Sequence, residues 1–231
     1  CFKTRSVMVG EVGVGGDNPI RVHSMTTTDT MDTEATIAQS IRMIEAGCEI
    51  VRITAPSIKE AKNLRPILNG IRAKGYKTPL VADIHFHYQL ALEVLKNGAD
   101  CLRLNPGNIR DKDLVKQIAA EAKVRNVPIR NGVNFGSLTP VGGIGKTRGT
   151  SRHKDGVNLL PVVAENQNSY SLVDHMVDTG LWEISILESL DFDLIKISLK
   201  AFDIQTTVES YRTLSQMVPY PMHLGITEAG T

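Results

Sequence analysis

Short apolar runs recur along this chain, and each of them ends in a cluster of charged or polar residues. Seven such clusters occur, at residues 24–28, 52–57, 83–87, 103–108, 130–134, 196–200 and 223–228. The runs before them are rich in Val, Ile and Leu, and a helix-like stretch follows most of them. Buried parallel strands with polar residues at their carboxyl ends are typical of a TIM (β/α)8-type barrel. The sequence therefore predicts an α/β fold of this type.

The hydrophobic periodicity predicts where the individual elements lie. Barrel strands are expected at residues 20–25, 51–53, 80–84, 101–104, 129–133, 194–198 and 222–226. Asp32 and Ser57 are the expected N-caps of the first two helices, the second with Glu60 as a capping box. The later helices are expected at residues 88–97, 111–125, 171–189 and 206–217. Residues 7–14 predict a hairpin that closes the floor of the barrel.

The regular alternation of strands and helices breaks after the fifth strand. Residues 139–158 are rich in Gly, Thr, Lys and Arg and lack hydrophobic periodicity, which predicts a long exposed loop. We expect one barrel domain over 1–231, with an atypical loop insertion at 139–170. Because a closed barrel needs one more strand and helix, we also expect the barrel to be truncated after its seventh strand.

Composition excludes several classes of protein. The net charge of the 231 residues is +1, so no global field attracts nucleic acid. No apolar stretch approaches the ~20 residues of a membrane span. Cys1, Cys48 and Cys101 are too scattered for a disulfide framework or a C-x-x-C metal pair, and a cytoplasmic location is expected.

The strand-end clusters contain more cations than carboxylates. The cations are Arg52, Arg103, Arg130, Lys196 and Lys200. Only Asp83 and Glu228 are available to pair with them. Arginine offers a rigid fork of donors for phosphate, and the excess of cations predicts a pocket for a bound phosphate or diphosphate. Glu228 either balances a cation or makes a hydrogen bond or proton transfer to the ligand.

The segment Asp83-Ile-His85-Phe-His87 is the richest in reactive side chains. Two histidines in this spacing can bind a divalent metal, which would suit a metal-dependent barrel hydrolase. They can equally serve in acid–base work, in hydrogen bonding to a hydroxylated ligand, or in a structural role. No further ligand is grouped with them, so no metal is expected.

Six ordered motifs resemble those of one enzyme family. The motifs are VRITAPS (51–57), VADIHFHY (81–88), CLRLNPGNI (101–109), IRNGVNFGSL (129–138), IKISLKAFD (195–203) and HLGITEAG (223–230). They closely resemble the 4-hydroxy-3-methylbut-2-enyl diphosphate synthases, iron–sulfur oxidoreductases of the non-mevalonate pathway of isoprenoid biosynthesis. The sequence departs from that family between residues 139 and 170, and His87 replaces a common Asp.

The resemblance implies a barrel that binds 2-C-methyl-D-erythritol 2,4-cyclodiphosphate for reductive ring opening and dehydration. By motif position, the five strand-end cations would hold the diphosphate. The residues implied to orient the carbon skeleton are Asp83, His85, Asn105, Asn134, Ser198 and Glu228; of these, Asp83, His85 and Glu228 are the candidate catalytic residues.

The resemblance also implies groups that this chain does not supply. A [4Fe-4S] cluster is expected from a C-terminal domain outside these residues, with flavodoxin or ferredoxin as electron donor. A homodimer is expected for the full-length enzyme, and this part alone is expected to be inactive. The remaining alternative is a non-catalytic fragment that binds a phosphate ligand.

Overall fold

The computed structural model describes residues 3–84, 89–109, 111–134 and 171–225. It opens with an antiparallel hairpin of β1 (Val7–Val9) and β2 (Val12–Val14). Val9 of this hairpin packs with Ile50, Val81 and Cys101, which lie at or near the first residues of three barrel strands. The prediction of a hairpin that closes the barrel floor is therefore confirmed.

Six parallel strands form one sheet in sequence order. They are β3 (His23–Met25), β4 (Ile50–Thr54), β5 (Leu80–Asp83), β6 (Cys101–Leu104), β7 (Ile129–Asn134) and β8 (Ile195–Lys200). The helices are α1 (Thr33–Glu45), α2 (Ile58–Ala73), α3 (Leu90–Lys96), α4 (Lys112–Val124), α5 (Leu172–Glu188) and α6 (Ile204–Ser215), with a 3-10 turn at Pro106–Asn108. Sequential parallel pairing with a helix after each strand is the topology of a TIM barrel.

The strands of the sheet have an apolar face toward the helices and a face with polar residues toward the barrel interior. Successive side chains of a strand point to opposite faces, so Val51 and Ile53 face the helices while Arg52 between them faces the interior. Both apolar side chains are buried in the main core, where Ile67 and Ile71 of α2 also lie. This alternation holds the charged strand-end residues on the inside of the sheet.

The helix starts agree with the predicted caps in all but one detail. Asp32 accepts a hydrogen bond from the Ala35 amide at 3.0 Å, and Ser57 accepts one from the Lys59 amide at 3.2 Å. Glu60 contacts the Ser57 hydroxyl instead of a backbone amide, so the predicted capping box is replaced by a contact between side chains.

The first strand is shorter than the predicted span of residues 20–25. Ile20 is 96% exposed and Val22 is more than half exposed, because no described strand covers this edge of the sheet. Of the predicted seventh strand, Met222 forms an isolated parallel bridge with Ile197, and the residues from 226 onwards lie outside the described ranges. The predicted insertion at 139–170 also lies outside them. None of the described helices has the length and apolar character that a membrane crossing requires.

Candidate functional site

Three cations lie side by side on the inner face of the sheet. Arg103, Arg130 and Lys196 are direct partners in the parallel register of β6, β7 and β8. Paired residues of neighbouring strands point to the same face, so the three side chains converge. All three are buried, with exposed fractions of 7%, 1% and 2%. Burying three neighbouring cations is costly unless an anion compensates them.

Asp83 is a buried carboxylate that pairs with two arginines of the site. Its Oδ2 lies 3.5 Å from Arg52 Nε, and its Oδ1 lies 3.6 Å from Arg103 Nη1. Asp83 therefore neutralises charge on the β4 and β6 side of the barrel. Its predicted catalytic role stays a prediction, while its contacts make it a partner of two arginines.

Arg130 has no carboxylate within ion-pair distance among the described residues. Its Nε and Nη1 are buried and make no hydrogen bond to any residue in the described ranges. Burial, followed by the nearby Arg52 charge, lowers the pKa of Arg130 from 12.5 to about 10. Burial also lowers the pKa of Lys196. The interior between β7 and β8 is thus short of negative charge.

Polar groups above the cations fix the backbone around Gly132. The Gly132 amide donates to Asn105 Oδ1 at 3.0 Å, and its carbonyl accepts from Arg103 Nη2 at 3.3 Å. A Cβ at this position would lie 2.7 Å from Arg103 Nε, so the close approach of Arg103 to β7 requires glycine. Ser198 donates to the Asn131 carbonyl at 3.3 Å. Asn105 and Ser198 thus support the site through hydrogen bonds within the barrel.

A cavity of about 620 Å³ opens between β3 and residues 221–225. Arg52, Lys196 and Lys200 line it on the cationic side. His23 and His223 also line it, with ring centroids 4.6 Å apart in an edge-to-face arrangement. The cavity is large enough for a ligand of several carbon atoms with phosphate groups.

The two histidines are held neutral by their surroundings. Burial, and then the charges of Arg130 and Lys196, lower the pKa of His23 from 6.5 to about 2. Burial and Arg130 likewise lower the pKa of His223. Neither residue was assigned a role from the sequence, because a lone His at a strand end does not reveal which charges will surround it.

Comparison with known proteins identifies the family. Residues 4–231 match the family model described as the GcpE TIM-barrel domain. The chain belongs to the GcpE TIM-barrel family. The predicted barrel fold and the family resemblance are both confirmed.

Curated relatives of the GcpE family cover the chain almost completely. The chain is 45% identical over 229 residues to the Dehalococcoides mccartyi protein named 4-hydroxy-3-methylbut-2-en-1-yl diphosphate synthase (flavodoxin). Proteins of the same name from Nitratiruptor sp. and Clostridium acetobutylicum are each 44% identical, over 231 and 230 residues. These alignments cover 99–100% of the chain but 57–58% of each relative, so the chain spans just over half of their length.

Solved structures of lower identity share the barrel fold alone. A type I 3-dehydroquinate dehydratase from Clostridium difficile aligns with a TM-score of 0.63 at 12% identity, covering 97% of this chain and 81% of that one. A dihydropteroate synthase from Xanthomonas albilineans aligns with a TM-score of 0.59 at 14% identity, covering 95% and 76%. Both alignments support the barrel fold of the described strands and helices.

The described residues do not fit an iron–sulfur cluster. No group of three or more His, Cys, Asp or Glu side chains in the described ranges could hold a metal ion. Cys48 and Cys101 are both buried, and the Cys101 thiol has its pKa raised by burial. Iron–sulfur clusters are held mainly by Cys thiolates, and these two scattered, buried thiols do not form such a ligand set.

The structure brings most of the predicted binding residues into one interior. Seven of them face the inside of the sheet: Arg52, Asp83, Arg103, Asn105, Arg130, Lys196 and Ser198, with Lys200 at the rim of the cavity. Asn134 is the last residue of β7, and its side chain is not among those that the structure describes. His85, His87 and Glu228 also lie outside the described residues, so their predicted roles are untested.

Sequence reasoning missed a buried acid behind the site. Glu183 on α5 is 2% exposed and packs against the 3-10 turn, where a Cβ on Gly107 would lie 3.1 Å from its Cγ. Burial raises the pKa of Glu183 to about 8, against the opposing influence of Arg103. A charged residue within the apolar face of a helix was the available indication, but helix periodicity alone does not separate it from a solvated one.

Proposed function

We propose that this chain is the substrate-binding barrel of a 4-hydroxy-3-methylbut-2-en-1-yl diphosphate synthase, an oxidoreductase of isoprenoid biosynthesis. Its substrate would be 2-C-methyl-D-erythritol 2,4-cyclodiphosphate. The observation that carries the proposal is the buried row of Arg103, Arg130 and Lys196, in which Arg103 pairs with Asp83 while Arg130 Nε and Nη1 make no hydrogen bond to a described residue. A diphosphate supplies the acceptors that the buried Arg130 nitrogens lack within the described ranges.

The residues divide by what they would touch. Arg130, Lys196 and Lys200 would bind the diphosphate directly, since Arg52 and Arg103 already share Asp83. Asn105, Asn134 and Ser198 would orient the hydroxylated carbon skeleton. The reacting carbon atoms would then face the groups assigned to proton transfer, His85, Asp83 and Glu228.

The cofactor and the electron donor of the proposed enzyme would come from outside the described residues. The [4Fe-4S] cluster would supply electrons from another part of the protein, with flavodoxin or ferredoxin as donor. We further propose one substrate-binding domain over 1–231 with an inserted loop at 139–170, a homodimeric full-length enzyme and a cytoplasmic location.

The first test is a charge removal with a matched control. Lys196→Met in the full-length protein should weaken binding of the cyclic diphosphate by about 2–4 kcal/mol, because a buried charge-assisted contact is lost. Lys77→Met is the control, since Lys77 is 80% exposed and pairs loosely with Glu11 at 3.9 Å. Isothermal titration calorimetry measures both.

Two outcomes would count against the proposal. Unchanged affinity in the Lys196 variant would remove the lysine from the binding site. Inorganic diphosphate binding as tightly as the cyclic substrate would indicate a general phosphate-binding fragment instead of the synthase.

A further inference from the structure

Lys200 occupies an unusual position at the carboxyl end of β8. It is the last residue of the strand, it is half-buried, and it lines the 620 Å³ cavity. Lys196 lies four residues earlier on β8, and Lys196, Ser198 and Lys200 share one face of the strand because they are spaced by two residues. Lys196 itself is almost completely buried, so Lys200 is the amine that a ligand in the cavity reaches first.

The charges around Lys200 disfavour its ammonium form. Arg52, Arg130 and Arg103 all act on it, and Asp83 is the carboxylate that opposes them. Asp83 is engaged with Arg52 and Arg103, and within the described ranges no carboxylate lies in ion-pair distance of Lys200. A lysine in such a cavity is an amine with cations for neighbours, which is the arrangement that activates an amine as a nucleophile.

The pKa agrees with the geometry. Burial, and then the charge of Arg52, lower the pKa of Lys200 from 10.5 to about 8. At neutral pH a larger fraction of such an amine is in the neutral, nucleophilic form than of an ordinary lysine.

We propose that Lys200 is a covalent modification site for phosphorylated aldehydes, which enter this cavity and condense with the amine to form an imine. The neutral nitrogen attacks the carbonyl carbon, a C=N double bond replaces the C=O double bond, and the carbonyl oxygen leaves as water with the two amine protons. The condensation requires no oxidant or reductant. The phosphate of the aldehyde is held by the cations that line the cavity beside Lys200, Arg52 and Lys196.

The inference depends on the cavity and its charges, not on the identity of the proposed substrate. An aldehyde without a phosphate lacks the attraction to the cations and reacts more slowly. An adduct on Lys200 fills the cavity and blocks other anionic ligands. The barrel is therefore subject to covalent inhibition by anionic carbonyl compounds.

Pyridoxal 5′-phosphate is the probe that tests this. The full-length protein is treated with it at pH 7.4, the imine is reduced with borohydride, and modified peptides are mapped by mass spectrometry. We expect Lys200 to be labelled at least tenfold faster than the surface residue Lys77, with a rate that rises with pH around a midpoint near 8. Pyridoxal without its phosphate should label Lys200 at least tenfold more slowly.

Each further outcome supports or overturns the inference. Lys200→Arg keeps the charge and should abolish the fast labelling, whereas Lys77→Arg should leave it intact. In the wild-type protein, labelling of Lys200 no faster than that of Lys77 overturns the inference. A labelling rate whose pH midpoint lies above pH 10 also overturns it.

Protection by the cyclic diphosphate separates this inference from the proposed function. If Lys200 is labelled rapidly but the cyclic diphosphate gives no protection, the imine site stands and the substrate assignment fails. If the cyclic diphosphate binds but Lys200 is not labelled, the substrate assignment stands and the imine site fails.

Discussion

Replacement of Arg130 by Met should stabilise the ligand-free protein. Arg130 is 1% exposed, and its Nε and Nη1 lack hydrogen-bond partners in the described part of the chain. A methionine of similar length fills the space without a charge. Replacing buried charges with apolar residues of similar volume is often neutral or stabilising.

The magnitude follows from the pKa of the guanidinium. It falls from 12.5 to about 10, which at ~1.4 kcal/mol for each tenfold change corresponds to about 3 kcal/mol by which the folded state disfavours the charge. Part of this is lost to imperfect packing of the methionine, so we expect a gain of about 1–3 kcal/mol in the free energy of unfolding. Binding of the cyclic diphosphate should weaken by about 2–4 kcal/mol in the same variant.

The assay is urea unfolding of the ligand-free full-length protein at pH 7.5, followed by titration with the cyclic diphosphate. Arg103→Met is the matched control, because Arg103 pairs with Asp83 at 3.6 Å and donates to the Gly132 carbonyl at 3.3 Å. Its loss leaves Asp83 with less compensation and should destabilise the protein by about 1–3 kcal/mol. If Arg130→Met is as destabilising as Arg103→Met, Arg130 has a structural partner and the argument that it awaits an anion is refuted.

Two further predictions concern the other side of the cavity and the strand beside it. Because the pKa of His23 is about 2 in the folded protein and 6.5 when unfolded, only the unfolded chain takes up its proton between those values, so stability falls as pH drops below 6.5. The free energy of unfolding should fall by about 1–2 kcal/mol less in His23→Gln than in the wild-type protein between pH 7.5 and pH 5. Urea unfolding at the two pH values measures this, and an equal fall in the variant and the wild-type protein would contradict it. Gly132→Ala should displace Arg103, whose Nε lies 2.7 Å from the new Cβ, and cost about 1–3 kcal/mol in unfolding free energy. Unchanged stability and anion affinity in that variant would show that the contact relaxes freely.

The fold was predictable where local patterns and burial agree. The run Cys101–Leu104 was placed with its observed bounds, because a short apolar segment between a helix stop and a Pro-Gly turn has few alternatives. Asp32 was identified as a cap because a short acceptor side chain there satisfies an exposed amide. Both features depend on residues close in sequence.

The errors arise where a neighbouring element decides the outcome. The apolar residues Ile20 and Val22 suggested a longer first strand, but their burial depends on an adjoining strand that the described residues do not provide. Ser57 and Glu60 have the spacing of a capping box, yet the carboxylate reaches the hydroxyl first. Spacing alone does not distinguish these two contacts.

The site was predictable to the extent that strand alternation determines it. Arg103, Arg130 and Lys196 were expected to converge because parallel strand ends meet at one edge of a sheet, and their register confirms it. His23, His223 and Glu183 were missed because their burial and charge environment come from elements distant in sequence. Such residues are recognised only after packing is known.

The register that aligns Arg103, Arg130 and Lys196 also constrains how the chain can fold. A slip of β7 by one residue would turn Arg130 outward into the apolar layer beneath the helices and turn Ile129 inward. Placing a guanidinium in that layer costs several kcal/mol, so misaligned sheets are disfavoured as soon as the helices pack. The side chains that give the barrel its affinity for anions thus also select one strand alignment, and variants that neutralise them risk a loss of folding fidelity together with the loss of binding.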